Sequence, residues 1–503
     1  MKKIFVLIAI TVFLCHVLLT GAAASGPDDS VLTVNPSAEP LAQEEMHRMV
    51  EEAAEAFYQN AELAEELESE IQFLHQEIPV ENYPAEEWDF CVLTHEGKSM
   101  RFFMETIGEP DENGQYPLYI ALHGGGSGPA EMNNLQWIDM LYYYRGAVEN
   151  GIYIACRGIT DTWDLHFRED SYVLYDRLIE AMTVVCGADP DRVYLLGFSA
   201  GGDGVYQIAP RLADRFAAAN MSSGHPNGVS LLNLANCPIC LQAGIRDYYS
   251  EDAMRSVRAA EFEKTLSDYH EKYGFGYQHS VRIHVPNGHN FVDFEDGEST
   301  VLKDPTAFAV RAAAEDMPGV FLDVMEDCGL QRDISWLSYY SGWDNEAFDR
   351  GIMNAVTETL GLETIKANTN AVRYVSQFTR DPAPAKIVWD LSTRAQTRES
   401  DSFYWLEAGQ SVNRGIITAE YDAAGNTITV EPDAEVNGDF SILFHPALID
   451  VSRPVTIRTG EITLTVRINP SAEFLKNSMF EKGDPKLACI GKIDYSTVVS
   501  AGR

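Results

Sequence analysis

The chain has 503 residues, of which 45% are hydrophobic, and it carries a formal net charge of -39 at pH 7. Length and hydrophobic content are typical of a globular protein with two or three domains and a sizeable core. The negative charge argues against a nucleic-acid partner, since phosphate binding depends on Lys and Arg, and it would repel anionic polymers and membrane surfaces at low salt.

The first 24 residues have the pattern of a secretory signal peptide. Two lysines precede a long apolar run, which ends in the small residues Ala22, Ala23 and Ala24. This order predicts cleavage after Ala24, whereas a retained membrane anchor would not be followed directly by a small-residue site. No later stretch is apolar for long enough to span a bilayer. We therefore expect an exported protein with no membrane insertion once residues 1–24 are removed.

The next segment, 25–85, is predicted to be helical. Between 40 and 78 it is rich in Glu and Ala, and its apolar residues recur at helical spacing: Phe57, Leu63, Leu67, Ile71 and Leu74. This periodicity predicts one or two amphipathic helices that pack on the body of the protein. The charged residues are interpreted as a solvated face, with a cap or a partner-binding surface as the alternative.

From residue 86 the pattern changes to a hairpin, followed by apolar runs that alternate with helical stretches. The runs are "YPLYIALHGG", "GIYIACRG", "RVYLLGFS", "CPICLQAG" and "VRIHVPNG". Such alternation predicts a mostly parallel sheet with helices on both faces. Ligands of these sheets bind beyond the carboxyl ends of the strands, so we expect the functional residues where these runs end.

One of these runs ends in a serine that is surrounded by glycines, "GFSAGG", with Ser199 at its centre. A strand precedes this GxSxG motif and a helix follows it, which is the setting of a nucleophile elbow rather than of a surface turn. The helix N-terminus would add partial positive charge where an oxyanion develops. Asp203, in the first helical turn, is interpreted as a capping group.

Another run ends in "HGGGSG", from His123 to Gly128. Three successive glycines leave backbone N–H groups free to hold the oxygen of a tetrahedral intermediate. A simple glycine turn and a phosphate loop are the alternatives, but no Gly-Lys-Ser/Thr follows, as a phosphate loop requires. His123 is interpreted as a brace for this loop.

A serine nucleophile needs a base that is oriented by a carboxylate, and both are predicted downstream. Asp247 follows the strand "CPICLQAG" in a turn, and His289 follows the last strand in "NGHNF". This gives the order serine, acid, histidine. His284 lies inside a strand and is expected to be packed, and Glu251 and Asp252 are expected to cap the next helix.

We predict no catalytic residue in the rest of the chain. Residues 300–375 read as mainly helical, with an aromatic cluster of Trp336, Tyr339, Tyr340 and Trp343. From 386 onward, alternating residues and short turns predict antiparallel strands. Cys237 and Cys240 form a CxxC pair without a second pair, so a buried strand is favoured over a zinc or redox site.

At this point the sequence resembles the α/β-hydrolases, and in particular secreted esterases and polyhydroxybutyrate-depolymerase-like serine hydrolases. The stretch "RGITDTWDLHF" and the segment "DPDRVYLLGFSAGGDGVYQIAPRLADRFAAANMSSGHPNG" carry the resemblance, which covers roughly 85–300. It implies an α/β-hydrolase fold at 86–380, with a helical insertion at about 300–375 that is longer than in the family, and such insertions often act as lids over the substrate entrance. The segment at 386–503 resembles a smaller β-sandwich-like domain that is appended to some of these enzymes.

The resemblance also implies roles for single residues. Ser199 would be the nucleophile, Asp247 the acid and His289 the base, while the N–H groups of Ala200 and of Gly124, Gly125 and Gly126 would form the oxyanion hole. Arg157, Trp163 and His225 lie in strand-end loops and are candidate pocket residues. For Trp163, stacking on a sugar or aromatic ring and burial as an anchor are equally open.

The sequence thus predicts an exported serine hydrolase that cleaves carboxylic esters, with carbohydrate- or polymer-linked acyl groups, through an acyl-enzyme. No metal and no organic cofactor is expected, and neither the acyl group nor the oligomeric state is predicted. A serine peptidase of the prolyl-oligopeptidase type and a non-catalytic binding protein on a hydrolase scaffold are the alternatives.

Overall fold

A computed structural model describes residues 31–247, 254–332 and 346–502. The predicted signal peptide lies outside these residues, as do Glu251, Asp252 and the aromatic cluster of Trp336, Tyr339, Tyr340 and Trp343. Across the three described ranges, no helix combines the length and the apolar character needed to cross a membrane.

Strands from both halves of the chain form three sheets of eleven, six and four strands within the described residues. In chain order the strands are β1 Leu32–Val34, β2 Ile71–Ile78, β3 Glu86–His95, β4 Lys98–Ile107, β5 Tyr116–Leu122, β6 Gly151–Cys156, β7 Ala188–Phe198, β8 Ala218–Ser222, β9 Ile239–Gly244, β10 His279–His284, β11 Glu298–Leu302, β12 Thr364–Asn368, β13 Lys386–Asp390, β14 Ser402–Phe403, β15 Leu406–Ala408, β16 Ile416–Asp422, β17 Thr427–Pro432, β18 Phe440–Leu443, β19 Val455–Thr459, β20 Ile462–Ile468 and β21 Lys492–Asp494.

The α-helices are spread along the whole described chain, and most of them pack against one of these sheets. They are α1 Gln43–Tyr58, α2 Ala61–Glu70, α3 Ala130–Tyr143, α4 Glu169–Cys186, α5 Ala200–Arg211, α6 Arg255–Tyr273, α7 Pro305–Ala314, α8 Met317–Asp327, α9 Glu346–Leu360, α10 Ala371–Val375, α11 Ala472–Lys482 and α12 Tyr495–Ala501. The predicted mixture of helices and strands is confirmed.

The large sheet has the order β12-β11-β10-β9-β8-β7-β5-β6-β4-β3-β2. Its central strands, β10 to β6 in this order, are mutually parallel, and antiparallel strands flank them on both sides. Because the centre is parallel, the carboxyl ends of its strands meet at one edge, as the alternating pattern predicted.

Helices cover this sheet on both faces, as its side chains require. Successive residues of a strand point to opposite faces, and in β5 Leu118 and Ile120 belong to one buried cluster while Tyr119 and Ala121 belong to another. The first cluster includes residues of α4, α5 and α6, and the second includes residues of α3 and α10. Strands buried on both faces explain why the central apolar runs are nearly continuous.

The N-terminal segment differs from the prediction in its second half. Helices α1 and α2 form as expected, but Ile71 and Leu74, which the helical spacing assigned to a helix, lie in strand β2. This strand pairs with β3 over eight residues, with Ile71 opposite Leu93. The gain from completing an edge of the large sheet overrides a short helical period in the sequence.

The described part of the segment at 300–375 is mainly helical, as predicted, but it also contributes to the large sheet. It contains α7, α8, α9 and α10, but β11 and β12 pair in antiparallel fashion and extend the large sheet beyond β10. The helices α7 to α9 are therefore inserted between β11 and β12, beside the strand β10 that precedes His289.

The C-terminal residues form the six-stranded sheet β1-β20-β19-β17-β16-β13 and the four-stranded sheet β14-β15-β18-β21. The predicted hairpins β16–β17 and β19–β20 are antiparallel. However, β1 from the N-terminal segment completes the larger of these sheets, and Trp389 and Ile417 belong to the same buried cluster as the core of the large sheet. A separate sandwich-like domain at 386–503 therefore stays a prediction.

Candidate active site

Ser199 lies in the turn between β7 and α5, which we call the elbow (197–201). Its backbone is in the left-handed region, with φ 58° and ψ -120°. A Cβ at Gly197 would lie 2.2 Å from the carbonyl oxygen of Gly201, and a Cβ at Gly201 would lie 2.0 Å from that of Leu122. The turn is so tight that only glycine fits at these two positions, which explains why the motif has this sequence.

The structure brings Ser199, His289 and Asp247 into one hydrogen-bonded chain. His289 Nε2 lies 2.9 Å from Ser199 Oγ, and His289 Nδ1 lies 3.0 Å from the nearer carboxylate oxygen of Asp247. All three side chains are buried, with at most 7% exposure. A proton on Nδ1 that points at the carboxylate leaves the Nε2 lone pair directed at the serine hydroxyl, so the imidazole can accept its proton.

Neighbouring parallel strands place these three residues. Ser199 follows β7, Asp247 follows β9 after a short turn, and His289 follows β10, so all three lie at the carboxyl edge of the sheet. The segment that carries Asp247 and the segment that carries His289 are in close contact. A Cβ at Gly244 would lie only 1.9 Å from the carbonyl oxygen of Gly288. Arg255, which sequence reasoning missed, lies with Nη1 3.6 Å from the Asp247 carboxylate.

The glycine loop (123–128) packs against the elbow. A Cβ at Gly124 would lie 3.3 Å from Ser199 Cβ, and Gly125 has a φ of +101°. Gly126, one of the predicted oxyanion donors, instead donates its N–H to Asn133 Oδ1 at 2.8 Å. The prediction for Gly126 is therefore wrong, since a backbone N–H committed to a buried amide is not free for a substrate oxygen.

The oxyanion role of the other three residues, Gly124, Gly125 and Ala200, stays a prediction. Gly124 lies beside Ser199, Gly125 follows it in the glycine loop, and Ala200 is the first residue of α5. The first N–H groups of a helix have no intrahelical acceptor, so the Ala200 N–H is available to an oxygen held near Ser199. Donors of this kind stabilise a developing oxyanion because they are fixed before the reaction begins.

Arg157, a candidate pocket residue, lies behind the glycine loop rather than in an open pocket. Its side chain is 2% exposed, and its guanidinium pairs with Asp161 and donates to Asn134 Oδ1 at 3.1 Å. Asp161 also accepts from Asn133 Nδ2 at 2.9 Å. Arg157 therefore supports Asn133, and through it Gly126, from inside the protein. Sequence reasoning missed Asn133 and Asp161 because they lie in a helix and a loop with no recognisable motif.

His123 braces the glycine loop, as interpreted from the sequence. Its Nδ1 donates to the Gly124 carbonyl, and its Nε2 accepts the Gly158 N–H at 3.1 Å. Its carbonyl oxygen accepts from His166 Nε2 at 2.9 Å. Burial holds the pKa of His123 well below its usual range, so the ring stays neutral and keeps one donor and one acceptor.

The two other candidate pocket residues are placed differently. Trp163 is 55% exposed, and its ring lies in a T-shaped contact with Phe167, so it is not a buried anchor. The backbone N–H of His225 donates to Asp203 Oδ1 at 2.6 Å, and Asn227 donates to the other carboxylate oxygen. Asp203 thus fixes the loop after β8, and the interpretation of Asp203 as a helix cap is corrected.

No protein-family model matches the chain. Among curated proteins, it is similar to a bifunctional acetylxylan esterase/xylanase from Neocallimastix patriciarum, with 32% identity over 114 residues that cover 22% of this chain and 16% of that protein. A protein named "Probable feruloyl esterase C" from Aspergillus terreus is 30% identical over 115 residues, 23% of this chain and 42% of that protein. The chain spans less than half the length of either curated relative. Both are esterases by name, and the predicted resemblance to esterases is confirmed.

Among solved structures, the chain is similar to Est1E from Butyrivibrio proteoclasticus, with 11% identity and a TM-score of 0.27 over 40% of this chain and 90% of that one. It is similar to a thermostable esterase with 15% identity and a TM-score of 0.31, over 60% of this chain and 70% of the other. An acetyl xylan esterase from Paenibacillus sp. R4 is 14% identical, with a TM-score of 0.26 over 48% of this chain and 90% of that one.

Proposed function

We propose that the protein is an exported serine hydrolase that cleaves carboxylic esters through an acyl-enzyme. The observation that carries this proposal is the chain from Ser199 Oγ through His289 to Asp247, with contacts of 2.9 Å and 3.0 Å. The α/β-hydrolase fold belongs to the same proposal, with the catalytic domain at 86–380. Residues 1–24 would be removed on export.

In the first half of the reaction, Ser199 Oγ attacks the ester carbonyl carbon as His289 Nε2 accepts the hydroxyl proton. The carbonyl oxygen becomes an oxyanion, which the N–H groups of Gly124, Gly125 and Ala200 stabilise. Asp247 holds the imidazole tautomer and stabilises the imidazolium. The tetrahedral intermediate then collapses, the alkoxide takes the proton from His289 and leaves as the alcohol, and an ester joins the acyl group to Ser199.

Water completes the reaction by the same route. The water oxygen attacks the acyl carbon while His289 accepts one proton of the water. The second tetrahedral intermediate then releases the carboxylic acid, and Ser199 regains its proton from His289. This cycle uses only side chains and backbone groups of the described chain together with water. It therefore requires no additional redox or metal chemistry from a partner.

The proposed substrates are esters in which a carbohydrate or a polymer carries an acetyl, feruloyl or hydroxyalkanoate group. The names of the two curated relatives, an acetylxylan esterase and a feruloyl esterase, support acyl groups linked to plant polysaccharide. The exposed ring of Trp163 offers a flat apolar surface of the kind on which sugars and aromatic acids stack. The strands at 386–503 would steady a large substrate.

The test is hydrolysis of p-nitrophenyl esters of increasing chain length and of methyl ferulate, beside proline-containing peptide anilides. We expect ester turnover by the wild type and a loss of about 10⁶-fold in kcat for Ser199→Ala. Ser230→Ala, a serine in the loop after β8 that makes no contact with the hydrogen-bonded chain, is the control and should leave turnover unchanged. Turnover of peptides alone would replace the esterase with a serine peptidase, and a folded wild type inactive on both would favour a non-catalytic scaffold.

A further inference from the structure

Two consecutive serines at the end of β8 connect the elbow to the loop that carries His289, which we call the histidine loop (286–293). The carbonyl oxygen of Ser222 accepts the backbone N–H of Ser199 at 2.8 Å. The hydroxyl of Ser223 donates to the backbone carbonyl of His289 at 2.6 Å. One dipeptide therefore contacts the backbone of both residues that form the 2.9 Å contact between Ser199 and His289.

The side chain of Ser222 adds a second connection to the same loop. Its hydroxyl donates to Asp293 Oδ2, and the Tyr144 hydroxyl donates to the same oxygen at 3.2 Å. Asp293 is fully buried, and its backbone carbonyl accepts from the N–H of Ala371 at 2.7 Å. Burial raises the pKa of Asp293 to about 6, so at neutral pH the group is a carboxylate that accepts both hydroxyl protons.

A relay of side chains under the histidine loop leads to Ser222. His284 Nε2 donates to Gln242 Oε1, Gln242 Nε2 donates to Asn220 Oδ1, and Asn220 Nδ2 donates to Ser222 Oγ, each at 2.9 Å. Ser222 then donates to Asp293, so every bond runs in the same direction and ends on a carboxylate. Bonds aligned in this way polarise one another, which strengthens the contact to Asp293 Oδ2.

His284, the first residue of the relay, also contacts the histidine loop. The ring of His284 stacks on Phe291, with centroids 4.0 Å apart and an interplanar angle of 17°. The histidine loop is thus held from outside at three of its own residues: His289, Phe291 and Asp293. The partners of these residues lie at or just after the ends of β8 and α3 and inside β10.

We propose that Ser222, Ser223 and Asp293 are positioning residues that set the contact between Ser199 and His289, a role that rests on the hydrolase function proposed above. None of the three is a member of the hydrogen-bonded chain of Ser199, His289 and Asp247. They act by fixing the distance over which the proton passes from serine to histidine, and a shift of about 1 Å at such a contact costs about 10²-fold in rate.

Ser223 offers a variant that separates positioning from stability. Its φ is +51°, a left-handed conformation that glycine adopts more readily than serine. Ser223→Gly therefore relieves backbone strain while it removes the hydroxyl that holds the His289 carbonyl. We expect a melting temperature close to that of the wild type and a fall of about tenfold in kcat, with KM changed by less than about threefold.

Asp293→Asn and Ser222→Ala test the second connection. Each variant should lower kcat by about 10²-fold with little change in KM. Both changes break the same hydrogen bond, from Ser222 to Asp293, so the double variant should lose no more activity than the worse single variant. Thr183→Val is the matched control, since Thr183 is a buried hydroxyl whose bond goes to Ile179 in its own helix α4. It should lose stability and keep kcat.

Hydrogen exchange of the peptide at 286–293 gives a readout that does not depend on turnover. Asp293→Asn and Ser223→Gly should raise exchange in this peptide, whereas Thr183→Val should not. Unchanged exchange and unchanged kcat in both variants would overturn the positioning role, as would a loss of kcat in Thr183→Val equal to theirs. If the wild type hydrolyses no ester while these variants still raise hydrogen exchange at 286–293, the proposed function is wrong. The structural role of Ser223 and Asp293 in holding the histidine loop would then remain.

Discussion

The elbow and the histidine loop hold the two ends of one hydrogen bond, but they are held in different ways. The backbone itself builds the elbow, where glycines at 197 and 201 allow carbonyl oxygens to approach within 2.2 Å of where a Cβ would stand. Side chains from elsewhere support the histidine loop, over sequence separations of 66 residues for Ser223 and 149 for Tyr144. A site can thus combine one half that local sequence dictates with another half that only the folded chain assembles.

The largest effect is expected from a change that breaks the backbone-built half. Gly201→Ala places a Cβ 2.0 Å from the Leu122 carbonyl oxygen, so β5 and α5 must separate. We expect no measurable ester turnover and a lower melting temperature, read by enzyme assay and thermal unfolding. Gly146→Ala, where a Cβ meets no atom within 4 Å, is the control. Normal turnover in Gly201→Ala would mean that side chains, not backbone contacts, define the elbow.

The next effect comes from the acid that orients His289. Asp247→Asn keeps the shape but presents an amide N–H to Nδ1, which favours the tautomer with its proton on Nε2 and no lone pair for the serine. The expected loss is about 10⁴-fold in kcat, measured on the best p-nitrophenyl ester. Asp296→Asn is the control. It changes an exposed carboxylate near the same sheet edge and should leave kcat unchanged. Equal losses in the two variants would contradict the assigned role.

A smaller effect is expected at the glycine loop, where a side chain supports a backbone-built element. Asn133→Ala removes the acceptor of the Gly126 N–H and the donor to Asp161. The loop should loosen, and kcat should fall about tenfold, well short of the loss from deleting an oxyanion donor itself. Asn236→Ala, which removes a comparable bond to the Lys386 carbonyl, is the control. If turnover rose instead, Asn133 would be restraining the loop in an unproductive position.

The last prediction concerns stability rather than turnover, and it depends on pH. Burial lowers the pKa of His284 to about 3, below the value near 6.5 of an unfolded histidine, so the unfolded chain binds the proton more readily. The free energy of unfolding therefore falls as the pH drops below about 6.5, by about 2 kcal/mol at pH 5 from this group. His284→Gln should reduce that loss in urea unfolding at pH 7 and pH 5. The exposed His47→Gln should not, and an equal reduction in both would rule out the burial of His284 as the cause.

Sequence reasoning identified the local features of the site. The glycines around Ser199 and the loop after β5 carry their conformation in their own residues, so the elbow and the glycine loop could be predicted. Asp247 and His289 followed from their positions after strands. The commitment of the Gly126 N–H could not be predicted, because its acceptor, Asn133, is an ordinary helix residue.

The fold shows the same division. The central strands were predicted because burial on both faces leaves continuous apolar runs. Ile71 and Leu74 were assigned to a helix because their spacing fits one, and only pairing with β3 makes them a strand. Ser222 and Ser223 had no signal, since two serines after a strand are typical of any turn and their partners lie in distant parts of the chain.

The short strand β1 has a consequence for how the chain acquires its structure. Leu32–Val34 pairs with β20, and Asn35 donates to the carbonyls of Asn469 and Ile490, more than 430 residues away. Among the described residues, β1 therefore pairs with a strand from the other end of the chain, and it can join the six-stranded sheet only once β20 is present. Contacts between residues so far apart in sequence raise the contact order of the fold, which slows folding.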